Sequence, residues 1–230
     1  MANYDYDRYM GNVLNWMVEH KDELYDVTPR GNSKTGEFPC YNLLPGLTCT
    51  VEAREHCMKE GCYAIKNALR AGYDVNKSSV LKSWARNTIM AIWHRAELEQ
   101  DLNAYFDGLA APKFFRIHAA GDFVNMEYAW MWYRVARQHP GTRFLAFTKA
   151  WTAAREIPFD ELPQFSLVLS AWTGVIIPED LRRRYRCAWC DDGTEDRIPE
   201  DALICPGDCD RCGMCWGLKD ICRDVKFSKH

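Results

Sequence analysis

Lys113-Phe114-Phe115-Arg116-Ile117-His118-Ala119-Ala120-Gly121-Asp122-Phe123 reads as a strand that runs straight into a Gly-Asp turn. Alternate side chains of a strand face opposite ways, so Phe115 and Ile117 share one face while Phe114, Arg116 and His118 share the other. A helical pattern over 122–138 follows, then a strand over 143–148, a short helix over 150–156 and a strand over 165–170. Strand–helix–strand alternation with short connections implies right-handed crossovers and parallel strands. The predicted fold class is α/β: a partial (β/α) barrel or an open parallel sheet, with a C-terminal Cys-rich metal-binding lobe. Polar residues gather at the carboxyl ends of the strands, the edge where such folds bind ligands. Arg116, His118, Gly121 and Asp122 are the candidate pocket residues on that edge. Plainer roles compete: a hydrogen-bonded structural His118, a Gly121-Asp122 turn that caps the next helix, a surface Lys149, and a Trp172 that packs or forms a pocket wall.

Upstream of this strand, apolar residues over 7–26 (Tyr9, Met10, Val13, Leu14, Met17, Val18) have the spacing of an amphipathic helix that Thr28-Pro29 stops. Residues 31–48 are loop-like. The string Gly31-Asn32-Ser33-Lys34-Thr35-Gly36 lacks the spacing and the preceding strand of a phosphate loop. Helical patterns cover 63–72 and, capped by Ser79, 79 to about 106.

Thr48 to Ala64 carries three thiols, Cys49, Cys57 and Cys62, between the Pro45-Gly46 turn and the helical pattern at 63. A zinc knuckle supplies a tight Cys-x2-Cys pair, which is absent here. Irregular spacing on one loop that feeds a helix fits a [4Fe-4S] cluster held by three thiolates, with zinc or free core thiols as the alternatives. A helix N-terminus there favours the cluster's negative charge.

After Pro178 the composition changes. Residues 187–222 hold seven of the eleven cysteines: Cys187, Cys190, Cys205, Cys209, Cys212, Cys215 and Cys222. Two Cys-x2-Cys pairs plus further thiols in so short a stretch indicate a second metal centre, whose binding would supply folding free energy to the tail. Cys187, Cys190, Cys212 and Cys215 would close a zinc site, whereas Cys205, Cys209, Cys212 and Cys215 would hold a second Fe–S cluster. The expected division is 1–180 for the partial barrel with its N-terminal helix and Cys loop, and 181–230 for the Cys-rich lobe.

The net charge of -3 gives no global basic field for nucleic acid. The local run Arg182-Arg183-Arg184-Tyr185-Arg186 is the exception. The N-terminus shows no signal-peptide pattern, and no apolar run approaches the roughly 18 residues of a membrane span. The expectation is a cytoplasmic protein without a membrane partner. In a reducing compartment an odd number of cysteines favours metal ligation over a disulfide framework.

The order of thiol loop, helix, strand and Gly121-Asp122 resembles the start of a radical S-adenosylmethionine barrel. The Gly31–Gly36 string, the Cys62-Tyr63-Ala64 step, Gly121-Asp122-Phe123, Thr148-Lys149 and the Cys205–Trp216 tail resemble the phage-associated "gene product eighty-eight" family. The first resemblance implies S-adenosylmethionine on an open iron, its amino group on Asp122, Arg116 and His118 along the pocket, and an external electron donor. The Cys-x3-Cys-x2-Cys signature of such enzymes is absent from the first thiol loop. Three functions follow as expectations: an iron–sulfur enzyme of the radical S-adenosylmethionine kind with an unidentified substrate, a zinc-stapled nucleic-acid-binding protein, or an Fe–S electron-transfer or redox-sensing protein.

Overall fold

The computed structural model describes residues 5–32, 35–60, 62, 64–65, 72–194 and 197–228. Strands β1 (Cys40–Tyr41), β2 (Phe114–Ile117), β3 (Arg143–Thr148), β4 (Phe165–Ala171), β5 (Arg186–Asp191), β6 (Leu203–Ile204) and β7 (Val225–Ser228) form one sheet in the order β1-β2-β3-β4-β5-β7-β6. Every neighbouring pair is parallel. The sheet is not closed: among the described residues its end strands β1 and β6 do not pair. The fold is thus the open-sheet form of the α/β expectation.

Every residue of β4 is buried, as expected for a central parallel strand covered on both faces. On one face Phe115, Ile117, Phe144, Phe165, Leu169 and Cys187 belong to the main core. That core includes Leu98, Leu102 and Phe106 of α4 (Arg95–Asp107) and Tyr128, Met131, Trp132 and Val135 of α5 (Met126–Gln138). The other face is covered differently. There Leu145, Val168 and Ala188 meet Trp216, Leu218 and Val225, with Phe38, Phe114 and Phe147 packed alongside. The residues after 180, expected as an appended lobe, therefore supply three strands of the sheet and cover one of its faces.

The N-terminal helices form a third layer. Helix α1 (Tyr6–Glu19) starts where the Asp5 carboxylate accepts the Arg8 amide at 2.9 Å. It ends at Glu19, not near 26. It buries Tyr9, Val13, Trp16 and Met17 against Leu81, Trp84, Ala85 and Ile89 of α3 (Ser79–Trp93). The cap of α3 is Ser78, whose hydroxyl accepts the Leu81 amide at 3.1 Å, and Ser79 is already helical. The single helix expected over 79–106 breaks at His94: α3 buries Leu81, Trp84, Ala85 and Ile89 in the N-terminal core and reaches the main core with Met90 and Ala91, whereas α4 buries Leu98, Leu102 and Phe106 in the main core alone. Within the expected thiol loop lies α2 (Val51–Glu60). The expected 63–72 helix falls mostly outside the described residues. So do Ser33 and Lys34 of the Gly31–Gly36 string. No helix among the described residues is long and apolar enough to cross a membrane.

Candidate functional site

The carboxyl ends of β2, β3 and β4 open on a cavity of about 270 Å³. Arg116, His118, Gly121 and Asp122 all line it, as does Lys149 after β3. The chain turns sharply at the end of β2. His118 adopts the left-handed conformation (φ 63°), a costly one for a residue with a side chain. Its Nε2 pairs with the Tyr128 hydroxyl at 2.9 Å, while Nδ1 is buried without a hydrogen-bond partner. Burial, reinforced by the nearby Arg116 charge, pushes the imidazole pKa down to about 3, so the ring is neutral at physiological pH.

Gly121 is required by space as well as conformation. At φ +83°, a Cβ there would sit 2.6 Å from Thr48 Oγ1 and 2.8 Å from Leu43 Cβ. Asp122 is well partnered. Its Oδ1 accepts the Phe123 amide at 2.8 Å and the Thr148 hydroxyl at 2.7 Å, and its Oδ2 accepts the Lys149 amide at 2.7 Å. Burial raises its pKa; Lys149 and these donors oppose the rise. The expected helix cap is a different residue, Asn125, whose side chain accepts the Tyr128 amide at 2.8 Å.

Cys49, Cys57 and Cys62 all line this cavity. Cys57 stands on α2 and is not part of an irregular loop. The Gly46 amide donates to Cys49 Sγ at 3.4 Å. Burial, then the Asp122 charge, pushes the Cys49 thiol up to about 12, against the pull of that amide and of Lys149. The Cys62 thiol is raised chiefly by burial, against the Ile65 and Ala64 amides, and the neighbouring Cys57 raises it further. Backbone amides aimed at sulfur favour thiolates, the form in which cysteine binds metal.

The tail brings its thiols to the same place. Cys190, Cys205, Cys209 and Cys215 also line the cavity. Cys205, Cys209, Cys212 and Cys215 together rim a small adjoining hollow. Burial pushes Cys215 up to about 12, with Cys205, Cys209 and Cys212 contributing repulsion. Cys187 stands apart: it lies in the main core on the opposite face of β5, since positions three apart on a strand point opposite ways. Among the described residues, no three His, Cys, Asp or Glu side chains stand close enough to hold one metal ion. Cysteines on a cluster grip separate irons, so they need not crowd as ligands of a single ion must. Cys40, by contrast, is buried and hydrogen-bonded to Asn32 Nδ2 at 3.1 Å.

Two residues at the site escaped the sequence reading, His56 on the cavity wall and Asn42 beneath the β2 turn. His56 of α2 stacks on Trp172 with centroids 4.7 Å apart, where Lys149 Nζ lies 5.8 Å from the same ring centre. Asn42 Oδ1 accepts the Ala119 and Ala120 amides at 2.6 and 3.1 Å, and so fixes the β2 turn. These residues sit in stretches read as loop and carry no motif of their own.

The model of the family described as Gene product 88 matches residues 20–217, which include every thiol on the cavity wall. The chain belongs to the Gene product 88 family. It is 32% identical over 151 residues to the Gene 88 protein of Mycobacterium phage L5, covering 63% of this chain and 62% of that protein. It is equally similar to the Gene 88 protein of Mycobacterium phage D29, with 61% of that protein covered. The chain thus spans about three-fifths of the length of these curated relatives. No solved structure matches it.

The arginine run of this Gene product 88 chain lies on α6 (Glu179–Arg184) and its flank. Arg182 pairs with Asp224 at 2.7 Å, Arg184 with Asp160 at 2.5 Å, and Arg183 with Glu179. These three cations are already engaged by carboxylates.

Proposed function

We propose that this protein is an iron–sulfur enzyme in which Cys49, Cys57 and Cys62 hold a [4Fe-4S] cluster at the wall of the strand-end cavity. The observation that carries this reading is the shared cavity: three thiols from the N-terminal segment face the polar carboxyl ends of a parallel sheet. With three cysteine ligands, such a cluster leaves one iron open and supplies one-electron cleavage of S-adenosylmethionine.

The chain's own residues orient the ligand and exclude water. Asp122 fixes the ends of β2 and β3, and its Oδ2 keeps one acceptor position beyond the Lys149 amide for an amino group. Gly121 allows close backbone approach. Trp172 and His56 supply an apolar, stacked wall. Neutral His118 adds no positive charge to the cavity.

Anaerobic reconstitution with ferrous iron and sulfide, followed by an assay for 5′-deoxyadenosine with a chemical reductant, tests the reading. Release of 5′-deoxyadenosine that vanishes in Cys57→Ser supports it. A brown protein that never cleaves the cofactor overturns the radical chemistry and favours electron transfer, a reading for which the second thiol group on the same cavity speaks. Zinc without iron at both thiol sets overturns both.

A further inference from the structure

Arg116 is 7% exposed, on the sheet face that carries the cavity. Its guanidinium makes one hydrogen bond, from Nε to the His118 carbonyl at 3.3 Å, and lies 4.8 Å from the Phe147 ring centre. Among the described residues no carboxylate comes within ion-pair distance of it. A buried charge costs several kcal/mol unless something compensates it, and one ring face is a modest compensation. Asp122 is the carboxylate among the cavity's lining residues, and it is held by the Phe123 and Lys149 amides and the Thr148 hydroxyl and forms no ion pair with Arg116.

The remaining source of negative charge is sulfur. Cys205, Cys209 and Cys215 share the cavity wall with Arg116. The tail is fastened beside it: Trp216 Nε1 donates to the carbonyl of Phe115, the residue before Arg116, at 3.1 Å. Trp216 also packs edge-on against Phe114, the residue before that, with centroids 5.6 Å apart. Phe147, the ring that Arg116 covers, packs in the same cluster as Cys205, Cys209 and Cys215.

We infer that Arg116 is the counter-charge of a tail metal centre on Cys205, Cys209, Cys212 and Cys215, and not a residue of the small-molecule pocket. Four thiolates around a four-iron cluster leave a net negative centre, and the guanidinium offsets it. Arg116 is a positioning residue that acts on the metal through the ligand sulfurs. The inference rests on the tail thiols binding metal, and its test separates the two claims.

The test uses the full chain carrying Cys49→Ser, Cys57→Ser and Cys62→Ser, so that only the tail is left to load. It is loaded anaerobically with ferrous iron and sulfide. The rate of metal release to a chelator is then measured with Arg116 intact, with Arg116→Met, Arg116→Gln and Arg116→Lys. Loss of a residue that tunes metal ligands typically costs about 10- to 100-fold in metal affinity. The two neutral variants should release metal at least about tenfold faster, and Arg116→Lys should stay close to the parent. The neutral variants should also shift the reduction potential to more negative values, an effect that loss of packing alone does not predict. Equal release rates in all four proteins overturn the role of Arg116 while leaving the tail centre intact. A triple variant that takes up no iron and sulfide with Arg116 in place overturns the tail centre itself, and with it this inference.

Discussion

Asp122 Oδ2 accepts the backbone amide of Lys149 at 2.7 Å, and so fastens the turn after β2 to the end of β3 directly under the cavity. The carboxylate is 3% exposed and holds three donors, and an amide or methyl in its place leaves some of them unpaired.

Asp122→Ala is therefore expected to destabilise the fold by about 1–3 kcal/mol, the usual cost of a stranded buried polar group. Gly121→Ala should be at least comparable, at about 2 kcal/mol, because both conformation and space exclude a Cβ there. Urea titration measures both. An unchanged midpoint for Asp122→Ala would show that the carboxylate is a free ligand-binding group and not a fastener.

The pH dependence of stability should report on Asp160. Partial burial would raise its pKa, but the Arg184 and Tyr185 hydrogen bonds outweigh that and hold it below the usual carboxylate value. A carboxyl whose folded pKa is depressed contributes stability above its unfolded pKa, and loses it as the pH falls through the folded value. The loss should appear below about pH 4, the ordinary carboxylate range. In Asp160→Asn the fall of the urea midpoint with acidification should be shallower than in the parent; an identical fall would remove Asp160 from the account.

Cys187 and Cys205 separate packing from metal binding. Cys187 is fully buried in the main core, whereas Cys205 lines both the cavity and the tail hollow. Cys187→Ala should cost about 1 kcal/mol of stability and leave the metal content unchanged. Cys205→Ala should lower metal content in protein loaded anaerobically. Metal analysis beside thermal melts decides this, and loss of tail metal in Cys187→Ala would contradict the two-face assignment.

The central strands were legible because they are continuous apolar runs: the structure bounds β3 at Arg143–Thr148, as its sequence pattern does. β1 and β6 span two residues each, too short to show any periodicity. The tail strands were hidden because their cysteines read as metal ligands before they read as sheet. Helix α2 was missed for a related reason. Its sequence is rich in Glu, Arg, His and Lys, and among the described side chains of 51–57 only Ala53 is buried. The break at His94 carries neither Gly nor Pro, so only the two cores it serves reveal it. The site was legible in kind: Arg116, His118, Gly121 and Asp122 and thiols of both cysteine groups meet at one cavity. Which thiol faces where depended on strand orientation, which the Cys187-x2-Cys190 spacing alone could not supply.

The most direct measurement is the iron and acid-labile sulfide content of the anaerobically reconstituted chain, compared with the Cys49→Ser/Cys57→Ser/Cys62→Ser variant. The account predicts that the parent binds about four irons and four sulfides more than the variant, the content of one four-iron cluster. Equal iron and sulfide in both proteins would contradict it.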